Sequence, residues 1–308
     1  MSPDRRRFLR AAAALPLAAL AGTAAAGAAP PAHRKHFDSP AALAAYTRRS
    51  RLSQPLLMAH RAGYKPHVPG YPECHLVSAR KVMATGPAMI EVDIRRTRDG
   101  VMVPLHDVTL DRETTGSGPV RDIAFADFRR LRMRDGTGAA TDLAPDSLEA
   151  FLDWSAEGAL LWLDTKDVDP AELVALIRDR DAASRVIVSA YGRATLEAYQ
   201  AETRELVHFV PLIPEQGLAT LADVNAAGLD DERMIGFAGY YLPDIAASEA
   251  MRERDIPALL DLGRGDGRLR PDQLDPFLYR RAVAAGFPML NTDHYASVLG
   301  FLDIREWA

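Results

Sequence analysis

Eight side chains able to do polar chemistry stand in or at the ends of apolar runs between residues 56 and 166. His60-Arg61 closes the run Leu56–Arg61. Glu91 and Asp93 sit inside Met89–Arg95. His106-Asp107 follows Val101–Leu105, and Asp164 and Lys166 end Leu160–Lys166. A strand buried on both faces is nearly all apolar, so charges recurring at the same end of successive runs demand a reason. Side chains alternate along a strand, so Glu91-x-Asp93 and Asp164-x-Lys166 each put two charges on one side. Three converging carboxylates, with no thiolate, suit a hard divalent cation, Ca²⁺ or Mg²⁺. Without one they would raise each other's pKa values. Histidine is the side chain that ordinarily changes charge near neutrality, so His60 and His106 form a candidate acid–base pair. Arg61 and Lys166 add fixed positive charge. Together these groups fit phosphoryl-transfer chemistry: neutralise the phosphate, activate one oxygen, protonate another.

The elements that must hold these groups alternate in type. Strand candidates are Leu56–Arg61, Met89–Arg95, Val101–His106, Leu160–Lys166, Val186–Tyr191, Val207–Ile213, Met234–Tyr240, Pro257–Leu262 and Pro288–Thr292. Amphipathic helical stretches separate most of them; Ser147–Ala156, with Asp146 or Ser147 as its cap, precedes Leu160. Strand–helix alternation implies βαβ units and a parallel sheet. Eight such units predict a (β/α)₈ barrel, whose active site lies at the strand C-terminal ends. Val101–His106 follows Met89–Arg95 too closely for a helix between them. It reads as a hairpin return turned by Asp99-Gly100. A doubly wound open sheet is the competing architecture, but no Gly-rich phosphate loop follows the first strand. Gly263–Asp275, rich in Gly, Arg and Asp, reads as a surface loop.

The chain has 308 residues, 37 Lys+Arg against 42 Asp+Glu, and one cysteine. A net charge of −5 disfavours a nucleic-acid partner. A single cysteine excludes an internal disulfide and a Cys-rich zinc site. The N-terminus differs from the rest: Arg5, Arg6, Arg7 and Arg10 precede an uncharged, Ala-rich stretch from Ala11 to Ala32, with small-residue cleavage sites at Ala24–Ala26 and Ala26–Ala28. This composition predicts a signal peptide over residues 1–28, and Arg5-Arg6-Arg7-Phe8-Leu9 resembles a twin-arginine export signal. Pro16 and Gly22 interrupt the stretch and argue against a retained membrane anchor. The expected organisation is signal 1–28, extension 29–54 and barrel 55–308, exported to the periplasm or secreted by the twin-arginine machinery. Four Arg and one Asp leave with residues 1–28, so −5 becomes −8.

The chain resembles the glycerophosphodiester phosphodiesterase family. The resemblance lies in His60-Arg61-Ala62-Gly63, Pro72-Glu73, Glu91-Val92-Asp93 with Thr97-x-Asp99-Gly100, Leu105-His106-Asp107, Leu110-Asp111-Arg112, Thr114–Gly118, Ser147-Leu148-Glu149, Leu163–Lys166 and Thr292-Asp293. It implies a barrel that hydrolyses glycerophosphodiesters to glycerol-3-phosphate and an alcohol. By position it implies His60 and His106 as acid–base pair, Arg61 and Lys166 at the phosphate, and Glu91, Asp93 and Asp164 on the metal. Glu73 would support them, and a small insertion over Thr109–Leu131 would shape the mouth. Cys74-His75 departs from the family pattern after Pro-Glu, and Asp164 stands where Glu is common. The Asp-x-Lys pattern is shared with the related spider-toxin phospholipases D. That makes headgroup release from lysolipids or sphingolipids an alternative, although the sequence shows no long apolar groove element. A non-catalytic binding barrel is the other. His67 and His75 read as loop or surface residues, and the Tyr64–Tyr71 segment as part of the entrance.

Overall fold

A computed structural model describes residues 33–63, 67–240 and 243–308; the expected signal, and Tyr64 and Lys65 of the entrance segment, lie outside them. Nine apolar runs form strands: β1 (Leu56–Ala59), β2 (Met89–Arg96), β3 (Met102–Pro104), β4 (Leu161–Thr165), β5 (Val186–Ser189), β6 (Val207–Val210), β7 (Met234–Tyr240), β8 (Ala258–Asp261) and β9 (Met289–Thr292). All but β3 pair in parallel, and the ring closes because β1 hydrogen-bonds to both β9 and β2. β3 runs antiparallel to β2, with Ile94 opposite Pro104. This is the predicted (β/α)₈ barrel with its hairpin return.

The helices are α1 (Pro40–Thr47), α2 (Leu76–Thr85), α3 (Phe125–Phe128), α4 (Leu148–Ser155), α5 (Pro170–Asp179), α6 (Arg193–Glu202), α7 (Leu221–Ala226), α8 (Ile245–Glu253), α9 (Gly263–Asp266), α10 (Pro276–Ala284) and α11 (Tyr295–Leu302). Several start on side-chain caps that satisfy otherwise orphaned N–H groups. Ser147 caps α4, Asp169 caps α5 and Asp275 caps α10.

Strand parity sorts the core into two layers. Leu56, Met58, Met89, Leu160, Trp162, Phe209, Leu259 and Met289 fill the barrel interior. Leu57, Ile90, Val92, Leu161, Leu163 and Leu290 face the helices. Leu43 and Ala44 of α1 join the interior layer, so part of the expected extension is built into the barrel core. The insertion is larger than Thr109–Leu131, because its own small core runs from Val103 to Met133 around Phe128. Its Thr114–Gly118 segment is an ordered turn: Thr114 is buried, and its hydroxyl accepts from Gly116 N–H.

Two sequence readings need correction. Gly263–Asp275 is not wholly a surface loop, since it contains α9, and Asp266 is completely buried. Its carboxylate accepts from Tyr279 and Thr292, which repays desolvation. His75 is buried rather than on the surface: it caps α2, accepting from Val77 N–H. Among the described residues no helix is long and apolar enough to cross a membrane.

Candidate active site

The parity that sends Met58, Met89 and Trp162 into the barrel also aims the residues two further along each strand at its mouth. His60, Glu91 and Asp164 are those residues, and Asp93 follows Glu91 on the same side. All four line one cavity of about 750 Å³, together with Arg61, His106 and Lys166. β1 ends at Ala59, earlier than the apolar run suggested, because the chain turns sharply there. Arg61, Ala62 and Gly63 have φ of 49°, 60° and 80°. This left-handed turn, costly for the two non-glycine residues, points the Arg61 N–H at Glu91 Oε2, 2.6 Å away.

Glu91, Asp93 and Asp164 each offer an oxygen, and these atoms lie within 4.8 Å of one another. The Lys166 ammonium sits 2.9 Å from Asp93 and 2.7 Å from Asp164. Burial and then the Asp93 charge push Glu91 up to about 8. Burial would raise Asp93 too, but Lys166, His106 and Arg61 hold it below its ordinary value. Asp164 is raised by burial and by Asp93, with Lys166 only partly compensating. Its Oδ1 is buried without a hydrogen-bond partner. A crowded, under-neutralised, all-oxygen set with one orphaned lone-pair donor fits a hard divalent cation.

Each histidine is held through Nδ1 by an aspartate. His60 Nδ1 lies 2.6 Å from Asp293 Oδ1, just past β9. Burial works against a charged His60, but Asp293 and then Glu91 outweigh it and push its pKa up to about 10. Asp293 is itself fixed by its N–H to Asp266, and Gly267 lies so close that a Cβ there would overlap Asp293 Oδ2. His106 Nδ1 lies 2.7 Å from Asp107 Oδ1. Arg112 grips Asp107 with two nitrogens at 2.7 and 2.8 Å and also pairs with Glu113 and Glu73. Glu113 accepts the N–H groups of His106 and Asp107. Glu73 in turn accepts from Arg61 Nη1 at 2.9 Å. One ion-pair chain therefore runs from Arg61 through Glu73 and Arg112 to the Asp107 partner of His106. His106, Asp107 and Glu113 also cluster closely enough to suggest a metal, but Arg112 already supplies the counter-charge there.

The structure brings together all eight sequence-predicted site residues, with Glu73 one step back from the cavity. The sequence reading did not single out Arg112, Glu113 or Arg95 as site residues. Arg95 lines the cavity and donates twice to the His106 carbonyl. Arg112 lay inside a quoted motif, and its signal was a cation between two acids, Asp111 and Glu113. Cys74 is buried, with Sγ 3.6 Å from Asp93, and burial pushes its pKa far up. It is a packing thiol. His67 binds the insertion through its N–H to the Gly136 carbonyl and is not part of the cavity lining.

Fold and site together place two histidines, two cations and a carboxylate cluster at the strand C-terminal ends of a (β/α)₈ barrel, the face on which enzymes of this fold carry their active sites. Comparison with known proteins narrows the class. The sequence model of the glycerophosphoryl diester phosphodiesterase family matches residues 60–205. A glycerophosphodiester phosphodiesterase of Caldanaerobacter subterraneus is 28% identical over 149 residues, a match spanning 46% of this chain and 60% of the relative. A crystal structure of a glycerophosphoryl diester phosphodiesterase from Parabacteroides distasonis superposes with a TM-score of 0.78 at 22% identity, covering 88% of this chain and 93% of that one. An Oleispira antarctica phosphodiesterase, solved in complex with the product sn-glycerol-3-phosphate, superposes with a TM-score of 0.63 at 18% identity, covering 81% and 97%. By these matches residues 60–205 fall within the glycerophosphodiester phosphodiesterase family, and the barrel has the fold of that family's solved structures.

Proposed function

We propose that the chain hydrolyses glycerophosphodiesters to glycerol-3-phosphate and an alcohol, with a divalent cation, Ca²⁺ or Mg²⁺, as cofactor. The observation that carries this reading is the placement of two aspartate-held histidines around the Glu91–Asp93–Asp164 cluster, with Arg61 and Lys166 between them. The bound sn-glycerol-3-phosphate of the Oleispira protein supports it.

Glu91, Asp93 and Asp164 would hold the cation, which supplies charge for the phosphate oxygens and lowers the cost of charge build-up there. Arg61 and Lys166 orient the phosphodiester anion. Because Nδ1 of each histidine is engaged, Nε2 is the atom left for substrate. One Nε2 removes a proton from the attacking hydroxyl and the other gives a proton to the leaving alkoxide. Glu73 and Arg112 hold Arg61 and Asp107 in place. The attacker is water or the free glycerol hydroxyl beside the phosphate.

We further propose that residues 1–28 direct export of a mature barrel.

The test is release of glycerol-3-phosphate from choline, ethanolamine, glycerol and inositol diesters, with Ca²⁺, Mg²⁺ or a chelator present. Turnover that vanishes with chelator and returns with one of the two ions is expected. Glu91→Gln should need at least about ten-fold more cation for half-activity. Full turnover in excess chelator would remove the metal from the reading, and inertness toward every diester would remove the hydrolase.

A further inference from the structure

The lysine and arginines that line the catalytic cavity, Arg61, Arg95 and Lys166, lie on or just past β1, β2 and β4. The opposite wall carries polar groups without such a neighbour. There one row of residues crosses three strands near their ends: Tyr240 of β7 is in register with Asp261 of β8, and Asp261 with Asn291 of β9. All three line the cavity. Leu259 and Met289 point into the barrel interior, and Asp261 and Asn291 lie two residues further along the same strands, on the same side. A strand buried on both faces carries apolar residues at such positions, and neither polar residue belongs to the carboxylate cluster or holds a catalytic histidine.

Asp261 is an under-neutralised carboxylate. Its Oδ1 accepts the Gly263 N–H at 2.8 Å. A Cβ on Gly263 would stand 3.1 Å from His60 Nδ1 and 3.3 Å from Asp261 Oδ1, so the ring and the carboxylate flank that glycine. Burial raises the Asp261 pKa, the His60 charge opposes this, and Asp293 adds to the rise. His60 is already held by Asp293 at 2.6 Å, so two carboxylates share one imidazolium. Asn291 is a second, independent observation. Its side chain bonds to Asp261. An ionised carboxylate only accepts, so the amide turns Nδ2 toward it and Oδ1 away. Asn291 is 2% exposed, and its Oδ1 is buried without a hydrogen-bond partner. A buried acceptor without a donor is costly, and a donor on a ligand relieves the cost. Aromatic rings complete this wall: Phe237 packs on Tyr240 with 4.7 Å between centroids, and aromatic faces attract cations.

We propose that Asp261 and Asn291, beside the Phe237 and Tyr240 rings, form a subsite for an ammonium group on the leaving alcohol, with Asp261 as the residue that selects it. This rests on the hydrolase reading of the mouth and names the headgroup it prefers, an amino alcohol over a neutral polyol. A neutral hydroxyl would leave the Asp261 charge desolvated and unmatched. An ammonium brings the opposite charge, and a primary one also brings N–H donors for the carboxylate and for Asn291 Oδ1. The phosphate lies at Arg61 and Lys166, and the headgroup extends past His60 toward β7, β8 and β9. The anionic and cationic ends of one substrate then each meet the opposite charge across the mouth.

The test uses the purified full chain with the activating cation. Values of kcat/KM are compared for the ethanolamine, choline and glycerol diesters of glycerol-3-phosphate. The ethanolamine diester should exceed the glycerol diester by at least about ten-fold, with choline between them. Asp261→Asn should lower the ethanolamine-to-glycerol ratio by at least about ten-fold, and Asp261→Glu, which keeps the charge, should retain most of it. Calorimetric titration with ethylammonium at constant ionic strength reads the subsite without turnover. It should show binding to the wild type and none to Asp261→Asn. The wild-type diester series and the wild-type titration need no variant, so they decide the matter even if a substitution fails to fold. Equal turnover of ethanolamine and glycerol diesters, or a ratio unchanged in folded Asp261→Asn, overturns the subsite and leaves the hydrolase. A choline diester ahead of the ethanolamine one overturns the part given to Asn291. Ethylammonium binding that depends on Asp261, with no cleavage of any diester, sinks the hydrolase and leaves the subsite.

Discussion

Asp293 and Asp107 hold their histidines by the same atom, Nδ1, but they are secured differently. Asp293 is locked by backbone and by close packing: its N–H reaches Asp266, and Gly267 lies against its second oxygen. Asp107 is locked by charge, through the two-nitrogen grip of Arg112, which keeps its carboxyl well below the usual range. An aspartate behind a histidine fixes ring orientation and tautomer and stabilises the imidazolium. His60→Ala and His106→Ala should each cut kcat by at least about 10²-fold with the fold intact by circular dichroism. Asp293→Asn keeps the shape but removes the charge. It should lower kcat by about ten-fold or more with little change in KM, and narrow the pH range of activity. Asp293→Asn with wild-type kcat and an unchanged pH profile would show that His60 does not depend on it.

Within the elements, β6 carries a histidine with no part in the chemistry. His208 faces the helix layer, 5.2 Å from the Tyr199 ring of α6, with Nδ1 on the Val188 carbonyl and Nε2 buried without a partner. Burial pushes its pKa down to about 4. The folded chain therefore keeps His208 neutral, while the unfolded chain binds a proton below about pH 6.5. Between pH 6.5 and 4 the unfolded state holds more protons, so stability falls as pH falls, by roughly 3 kcal/mol from this residue. His208→Phe should make the fall in Tm from pH 7 to pH 4 shallower than in the wild type, and parallel acid slopes would refute this. His208 also shows where sequence reading stops. The nine apolar runs located the strands because burial on both faces leaves a compositional mark. The site residues stood out because charges violate that mark at one end of β1, β2 and β4. No periodic mark reveals a polar group whose cost is repaid by partners far along the chain. Asp266 draws on Tyr279 and Thr292, 13 and 26 residues away, and its Gly-, Arg- and Asp-rich surroundings look like exposed loop. Arg112 has the same difficulty, since Glu73 reaches it only after β2 and the insertion have folded.

For the whole molecule, the way the barrel closes bears on the export proposed above. β1 completes its pairing only against β9, from Leu56 opposite Met289 to Ala59 opposite Thr292. Trp307, one residue from the end, donates to the His33 carbonyl near the start of the described chain. The barrel therefore closes only when nearly the entire chain is available, and a ring joined at its two ends cannot form piecemeal during threading. With one cysteine, buried and free, the fold has no step that needs an oxidising compartment. A chain of this kind can fold and close where it is made and then leave folded, which is the service the twin-arginine route provides and the paired Arg5-Arg6 would request. Replacing both by Lys keeps the charge and removes the proposed recognition element. In a host with a twin-arginine system, wild type should appear outside the cytoplasm with residues 1–28 removed. Arg5→Lys combined with Arg6→Lys should stay inside, uncleaved, with diester hydrolysis equal to that of the exported enzyme once lysates are assayed with cation. Equal export of both forms would reject the twin-arginine assignment. A retained precursor that is inactive and protease-sensitive would show instead that the barrel closes only after export.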